Sequence, residues 1–318
     1  MSIYSKKEML NARKALQPYI HQTPLLQSRL INEIAACQLF FKCENLQKAG
    51  AFKMRGAMHK LLSLTKANRS KGVATHSSGN FGSALALSAQ ILHIPATIIM
   101  PSNAPQVKKN AVIAYGATII ECEPTLEARE STTAEFIKQT GATACHPYND
   151  PQVILGNSTA AQEVFEDLKP NVIVAPVGGG GLISGTALAC EFFSPHTKTY
   201  GAEPEGADDA FRSVRDGFIH PSLSPQTIAD GLRTALGEHT FPIIRDKVEE
   251  ILLVNDEEIK IAMRLIWERM KIIVEPSSAI TLAAVLKNKE IFAKQKVVLM
   301  LSGGNVDLEK YFRPISSK

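Results

Sequence analysis

The chain has 318 residues, 45% hydrophobic and 21% charged, with a net charge of +4. This is a globular composition, long enough for one large or two medium domains, and the small charge with no basic run among aromatics argues against a nucleic-acid partner. No apolar run matches a bilayer span or a signal-peptide core, and Cys37, Cys43, Cys122, Cys145 and Cys190 are odd in number with no CxxC pair, so a soluble protein of the reducing cytoplasm is expected, with no membrane, disulfide framework or structural zinc.

The first segment with strand character is LFFKCENLQK (39–48), preceded by a helix. From about residue 70, short β-branched runs alternate with amphipathic stretches. GVATHSS, PATIIMP, ATIIECE and ATACHPY read as strands, separated by helices over FGSALALSAQIL, APQVKKNAVIAYG and TLEARESTTAEFIKQTG. A second set follows: strands PNVIVAPV, KTYGAEP and KQKVVLMLSGGN, with helices over LISGTALACEFF, DEEIKIAMRLIWERMKII and SSAITLAAVLKN. The pattern predicts an α/β protein with two open, mostly parallel sheets flanked by helices. Residues 1–69 and 146–318 should form the larger domain, and 70–145 a smaller inserted one.

Open α/β sheets bind ligands beyond the carboxyl ends of their strands. Four such ends carry unusual residues. Gly178, Gly179, Gly180 and Gly181 follow a strand and open a helix. Successive glycines let backbone N–H groups approach an anion at the positive end of the helix dipole, so the loop reads as a phosphate cradle. It is neither GxGxxG with an acidic ribose partner nor GxxxxGK[ST], although a dinucleotide-dependent oxidoreductase remains a reading from another class. Ser77, Ser78, Gly79 and Asn80 suit a carboxylate at a helix start, or a plain helix cap. Ser302, Gly303, Gly304 and Asn305 end an apolar strand, where one hydroxyl can make a neutral hydrogen bond. Glu203, Glu205, Asp208 and Asp209 are dense enough for Mg²⁺, Mn²⁺ or Ca²⁺, or form a solvated acidic loop.

A fifth stretch, NLQKAGAFKMRGA (45–57), holds Lys53 between glycines. A phosphate cradle, a carboxylate-sized turn, a neutral hydroxyl and such a lysine together meet the needs of pyridoxal 5'-phosphate, whose aldehyde bonds a lysine amine. That amine must be neutral to react, so the site should desolvate it, with Phe52 as an apolar wall.

The motifs KAGAFKMRGA, SSGNFG, PVGGGGLISG, EPEGADD, IADG, WERMKIIVEPSSA and LSGGNVD run in this order across nearly the whole chain. Together they resemble the fold-type II pyridoxal-phosphate enzymes (tryptophan synthase β-like), in the serine/threonine dehydratase and serine racemase branch. The resemblance implies that Lys53 bonds the cofactor, Phe52 packs on its ring and Asn80 meets the ring hydroxyl. Gly178 to Gly181 with Leu182 would hold the phosphate, and Ser302 would face the pyridine nitrogen. Ser77, Ser78 and Asn80 would receive the substrate carboxylate, with Lys53 and Ser78 as the catalytic pair on opposite faces. Glu203, the Ala207 carbonyl and Asp209 would hold the divalent metal, and a homodimer is implied. The expected reaction is elimination from L-serine or L-threonine to a 2-oxo acid and ammonia, with serine racemase or 3-hydroxyaspartate dehydratase activity as the alternative. β-Replacement to make cysteine is a rival on the same scaffold.

Departures from the branch carry their own expectations. Phe81 stands where histidine is common, which makes the substrate side more apolar. Ala49, Arg29 and Ser83 replace residues of the nucleotide effector site of eukaryotic serine racemases, although Lys271 and Asn305 match it, so ATP activation is not expected. The chain ends soon after LSGGNVD, so no isoleucine-sensing regulatory domain is expected.

Overall fold

The computed structural model describes residues 4–104 and 106–307. Two sheets organise it. The larger has the order β1 (Leu25–Leu26), β2 (Gln38–Cys43), β10 (Lys296–Leu301), β7 (Val172–Pro176), β8 (Lys198–Pro204) and β9 (Glu250–Val254). Only β1 runs antiparallel. The smaller sheet has the order β5 (Thr118–Cys122), β4 (Ala96–Pro101), β3 (Val73–Thr75) and β6 (Thr143–Ala144), all parallel.

The large sheet is buried on both faces, as parallel sheets are. Along β10, Val297, Leu299 and Leu301 join one core with the helices Asp256–Met270 and Pro276–Lys287. Val298 and Met300 point to the other face and join a core with the helix Gly181–Phe193. This is the period of two that strands impose on side chains. The small sheet forms a separate core with the helix Asn80–Ile91. The helix Lys53–Leu62 contributes Met54, Ala57, Met58 and Leu61 to that same core, although its sequence lies far from the small sheet's edge strands.

The opposite face of this helix meets the helix Pro151–Asp167 at a crossing made close by glycine. A Cβ on Gly56 would lie 2.7 Å from Val153 Cγ1, and one on Gly156 2.5 Å from the Arg55 carbonyl oxygen. Arg55 sits at this crossing with no exposed surface. Its Nε donates to Glu44 at 2.7 Å and its Nη1 to Glu163 at 2.6 Å, while Lys42 donates to Glu163 at 2.5 Å and Thr23 to Glu44 at 2.5 Å. Burial alone would raise the Glu44 carboxyl, but the Arg55 and Lys42 charges and these bonds outweigh it and hold the group below the usual range. The two cations and two anions cancel.

The helix Pro151–Asp167, β9 and the helices Asp209–Asp216 and Thr240–Lys247 are elements beyond those read from the sequence. The strand expected over ATACHPY covers only Thr143–Ala144. Cys145 still donates its backbone N–H to Ala74, but Pro147 has none to donate and His146 turns its ring back onto the chain.

The buried ion cluster yields a stability test. Arg55→Met leaves the Glu44 and Glu163 carboxylates enclosed with one cation between them, and should cost about 3–5 kcal/mol. Urea unfolding followed by circular dichroism measures it. A midpoint unchanged from the parent protein would show that the cluster is not a fixed point of the fold.

Candidate active site

The loop before Lys53 is bound to the loop after β10. Gly50, with φ of 69°, lets the chain turn there, and a Cβ at this position would come within 2.4 Å of Asn305 Oδ1. Ala51 then pairs antiparallel with Gly303, the Phe52 N–H donates to the Ser302 carbonyl at 2.9 Å, and the Gly304 N–H donates to the Gly50 carbonyl at 2.9 Å. These backbone bonds place Lys53 beside Ser302, 249 positions away in sequence (302 − 53).

Lys53 opens its helix and is half-buried. Its Nζ donates to the Pro147 carbonyl at 2.8 Å. The Phe52 ring lies 4.9 Å and the Phe81 ring 5.8 Å from that nitrogen. Burial pushes the amine down to about 8, against the opposing pull of the Glu275 carboxylate. His146, next to Pro147, is pushed down to about 4, first by burial and then by the charges of His76 and Lys53. Its neutral ring accepts the Asn149 N–H on Nδ1 at 2.9 Å, which folds the turn that presents the Pro147 carbonyl.

The glycine loop is packed from all sides. A Cβ on Gly179 would enter the Tyr148 ring at 2.3 Å, one on Gly181 would meet Tyr148 Cβ at 2.9 Å, and one on Gly178 would meet the Gly231 carbonyl at 2.9 Å. Gly180 has φ of 86°, and a Cβ there would meet Ile244 Cδ1 at 2.7 Å. Thr240 fixes the loop by donating from Oγ1 to the Gly179 carbonyl at 2.9 Å. The helix Gly181–Phe193 starts on buried Gly180 without a side-chain cap, and Leu182 is in its first turn. A buried helix start of this kind leaves first-turn N–H groups for an anion. The cradle therefore fits a phosphate.

Ser302 ends β10 and is 3% exposed; its Oγ lies 3.5 Å from the Ser277 carbonyl, at the edge of bonding range. Ser77 and Ser78 form the half-buried turn between β3 and the helix Asn80–Ile91, and that helix too starts without a side-chain cap. Asn80 Nδ2 donates to both Glu275 oxygens, at 2.8 and 3.1 Å. Lys53, Phe52, Asn80 and Ser302 are thus joined through the Gly303 and Asn305 loop, and the glycine loop is joined to Lys53 through Tyr148 and Pro147.

The acidic residues lie at the end of β8 and in the turn that follows it. Glu203 accepts the N–H groups of Ala210 and Phe211, each at 2.8 Å, so its side chain caps the helix Asp209–Asp216. Burial nevertheless raises it to about 9. Asp209 is 1% exposed, its carboxylate oxygens find no hydrogen-bond partner at ordinary length, and burial raises its pKa against the opposing pull of the Ser222 hydroxyl. Ala207 is buried on the short 3-10 turn between them. Buried carboxylate oxygens so weakly satisfied fit a divalent cation. No cluster of three or more His, Cys, Asp or Glu side chains placed to hold a metal occurs among the described residues, so a cation here would need the Ala207 carbonyl as well.

Sequence reasoning did not single out Glu275, Pro147, Tyr148 or Thr240. Glu275 lies inside a motif that was noted, but as an acid before a helix-starting proline it reads as an ordinary cap. In the structure it makes no cap bond and turns to Asn80.

Residues 16–303 match the family described as "Pyridoxal-phosphate dependent enzyme". The chain is 49% identical to a protein named serine racemase from Dictyostelium discoideum, over 97% of each chain. It is 47% identical to a beta-hydroxyaspartate dehydratase from Paracoccus denitrificans, covering 98% of this chain and 99% of that one. Among solved structures, a threonine deaminase from T.th. superposes with a TM-score of 0.91 at 42% identity, covering 95% of this chain and 99% of the other. The chain belongs to the pyridoxal-phosphate dependent enzyme family, with the fold of its fold-type II members.

Proposed function

We propose that this protein is an ammonia-lyase that converts L-threonine and L-serine to 2-oxo acids and ammonia, with serine racemisation as a second activity of the same site. The observation that carries this reading is the half-buried Lys53 amine, set between the Phe52 and Phe81 rings on a loop whose backbone is bonded to that of Ser302. Pyridoxal phosphate, held by Lys53, Phe52, Asn80, Gly178 to Gly181, Leu182 and Ser302, supplies the electron sink for the substrate α-carbon. Lys53, uncharged in a sizeable fraction near pH 8, takes the α-proton at Nζ. Ser77, Ser78 and the Asn80 turn bind the substrate carboxylate with helix-start N–H groups. The β-hydroxyl leaves as water, and hydrolysis returns that water, so serine becomes pyruvate plus ammonia.

Phe81 supports hydroxy amino acids with an apolar side. It is 1% exposed, and its ring faces the Lys53 amine at 5.8 Å. A second reading, with serine racemisation or dehydration of 3-hydroxyaspartate as the main activity, is favoured by the names of the relatives. Assaying 2-oxo acid from L-threonine, L-serine, D-serine and 3-hydroxyaspartate ranks these. A preference for 3-hydroxyaspartate would replace the first reading by the second. Ser78 on the face opposite Lys53 would exchange the α-proton there. The five cysteines, all free, favour a reducing cytoplasm, and we infer a homodimer from the family resemblance.

Three outcomes are expected. Lys53→Ala should remove the visible band of the bound cofactor and lower turnover by more than about 10³-fold; elimination at the parent rate would refute the assignment. Ser78→Ala should lower racemisation of serine by about 10²-fold while elimination from L-serine persists, and equal loss of both would make Ser78 a binding residue. Glu203, the Ala207 carbonyl and Asp209 should bind Mg²⁺, Mn²⁺ or Ca²⁺. At 100 times its dissociation constant the ion would stabilise the fold by about 2.7 kcal/mol. Melting curves with and without the ion test this, and a shift that persists in Asp209→Ala would place the ion elsewhere.

A further inference from the structure

Glu275 is a buried carboxylate that the proposed chemistry does not use. It occupies the position before the helix Pro276–Lys287, makes no cap bond there and is 4% exposed. Its oxygens instead accept from Asn80 Nδ2, 195 residues away in sequence, at 2.8 and 3.1 Å. The other end of the same amide is also held. Asn305 Nδ2 donates to Asn80 Oδ1 at 3.0 Å and to the Ala49 carbonyl at 2.8 Å.

The chemistry of these partners distinguishes the two orientations of the Asn80 amide. An ionised carboxylate only accepts, and an amide NH₂ only donates. A flipped Asn80 would set oxygen against the Glu275 carboxylate and NH₂ against the Asn305 NH₂, losing both bonds, the first of them to a buried carboxylate. One N–H shared between the two Glu275 oxygens accounts for both distances and leaves the second N–H of Asn80 to donate elsewhere. The loop after β10 is shaped to admit this carboxylate. A Cβ on Gly303 would lie 2.6 Å from Glu275 Oε1, and the Glu275 N–H donates to the Gly303 carbonyl at 3.1 Å.

We propose that Glu275 is a positioning residue for Asn80: it fixes the amide so that an N–H, and not the carbonyl oxygen, faces the oxygen substituent of the cofactor ring. This rests on the reading that Asn80 contacts that ring. Burial raises the Glu275 carboxyl to about 7, against the pull of the Asn80 bond. The charge of Asp230 also raises it, while Lys108, which pairs with Asp230 at 2.8 Å, and Lys53 lower it. The orientation is therefore tested at about pH 8.5, where the carboxylate is ionised.

The experiment titrates apo-protein with pyridoxal phosphate, reading the dissociation constant and the position of the visible band. Glu275→Gln keeps an accepting oxygen and should retain both. Glu275→Leu should weaken binding about tenfold, the worth of one hydrogen bond to a charged group, and shift the band. The double variant Asn80→Ala/Glu275→Leu should bind no more weakly than Asn80→Ala alone, because Glu275 acts through Asn80. Parent-like binding by Glu275→Leu, or losses that multiply in the double variant, would overturn the proposal. If Glu275→Leu does not fold, Asn305→Asp on the exposed loop serves instead. It sets an acceptor against Asn80 Oδ1 and should weaken binding only while Asn80 is present; no effect would also overturn the proposal. Parent protein that develops no visible band at all would remove the cofactor reading itself, an outcome distinct from the rest.

Discussion

The structure depends on one enclosed arginine. Arg55 lies two residues after Lys53 on the same helix, has no exposed surface and divides its donors between Glu44 and Glu163. Glu44 follows β2 of the large sheet, and Glu163 belongs to the helix Pro151–Asp167. A guanidinium in this environment cannot be left with one partner, because each unpaired buried charge costs several kcal/mol. The start of the Lys53 helix is therefore held to the large sheet, while the apolar face of that helix sits in the core of the small sheet. Lys53 is placed at the junction of the two sheets because its helix packs in the small-sheet core while Arg55 ties the start of that helix to Glu44 after β2.

The same enclosure sets the chemistry. Burial disfavours charge of either sign, lowering amines and raising carboxyls. Lys53 falls to about 8, His146 falls to about 4 and Glu275 rises to about 7. The Lys53 charge acts on both of the other groups, and the three shifts have one leading cause, burial. The neutral imidazole of His146 is what allows the Pro147 carbonyl to face Lys53, since an imidazolium could not accept the Asn149 N–H. The Tyr148 ring then fills the space that side chains on Gly179 and Gly181 would need. A single short turn after β6 thus holds the amine and shapes the anion cradle.

How much of this was legible depended on the range of each constraint. Strands buried on both faces announce themselves as apolar runs, and glycines at a strand end announce close approach, so VVLML, VIVAP and the tetraglycine loop were readable. The helix Pro151–Asp167 was not, although Asp150 and Pro151 form a good start signal and Asp150 caps Gln152. From Val153 to Val164 every residue is buried, including Asn157, Ser158, Thr159, Gln162 and Glu163, so polar and apolar residues do not mark an outer and an inner face. Its polar residues look like a surface segment in sequence and are packed against the Lys53 helix and the glycine-loop helix in space. Lys53, Asn80 and Ser302 were each legible as residues at element ends. That Asn80 pairs with Glu275, or Lys53 with Pro147, is a long-range fact with no local trace. The strand read over ATACHPY overran for a related reason. The period-two pattern continues past Ala144, but the proline and the His146 turn end the ladder.

The choice of Ser302 at the end of β10 bears on which reaction the site favours. On the proposed reading, in which Ser302 faces the pyridine nitrogen, a neutral hydroxyl would not hold a proton there as a carboxylate would, and charge on the ring would be stabilised less. Under that constraint the α-carbon is best served by an outcome that removes the charge at once, and expulsion of a β-hydroxyl does so. Reprotonation from the opposite face does so as well, provided that a donor stands there, which is the position given to Ser78. On the proposed mechanism, elimination and racemisation would share their first proton transfer to Lys53 and differ only in what relieves the charge. Relatives of nearly equal similarity bearing racemase and dehydratase names are what this chemistry leads one to expect. On that reading the residues near the β-substituent would decide between them, and the buried Phe81 ring, 5.8 Å from the Lys53 amine, is an apolar candidate.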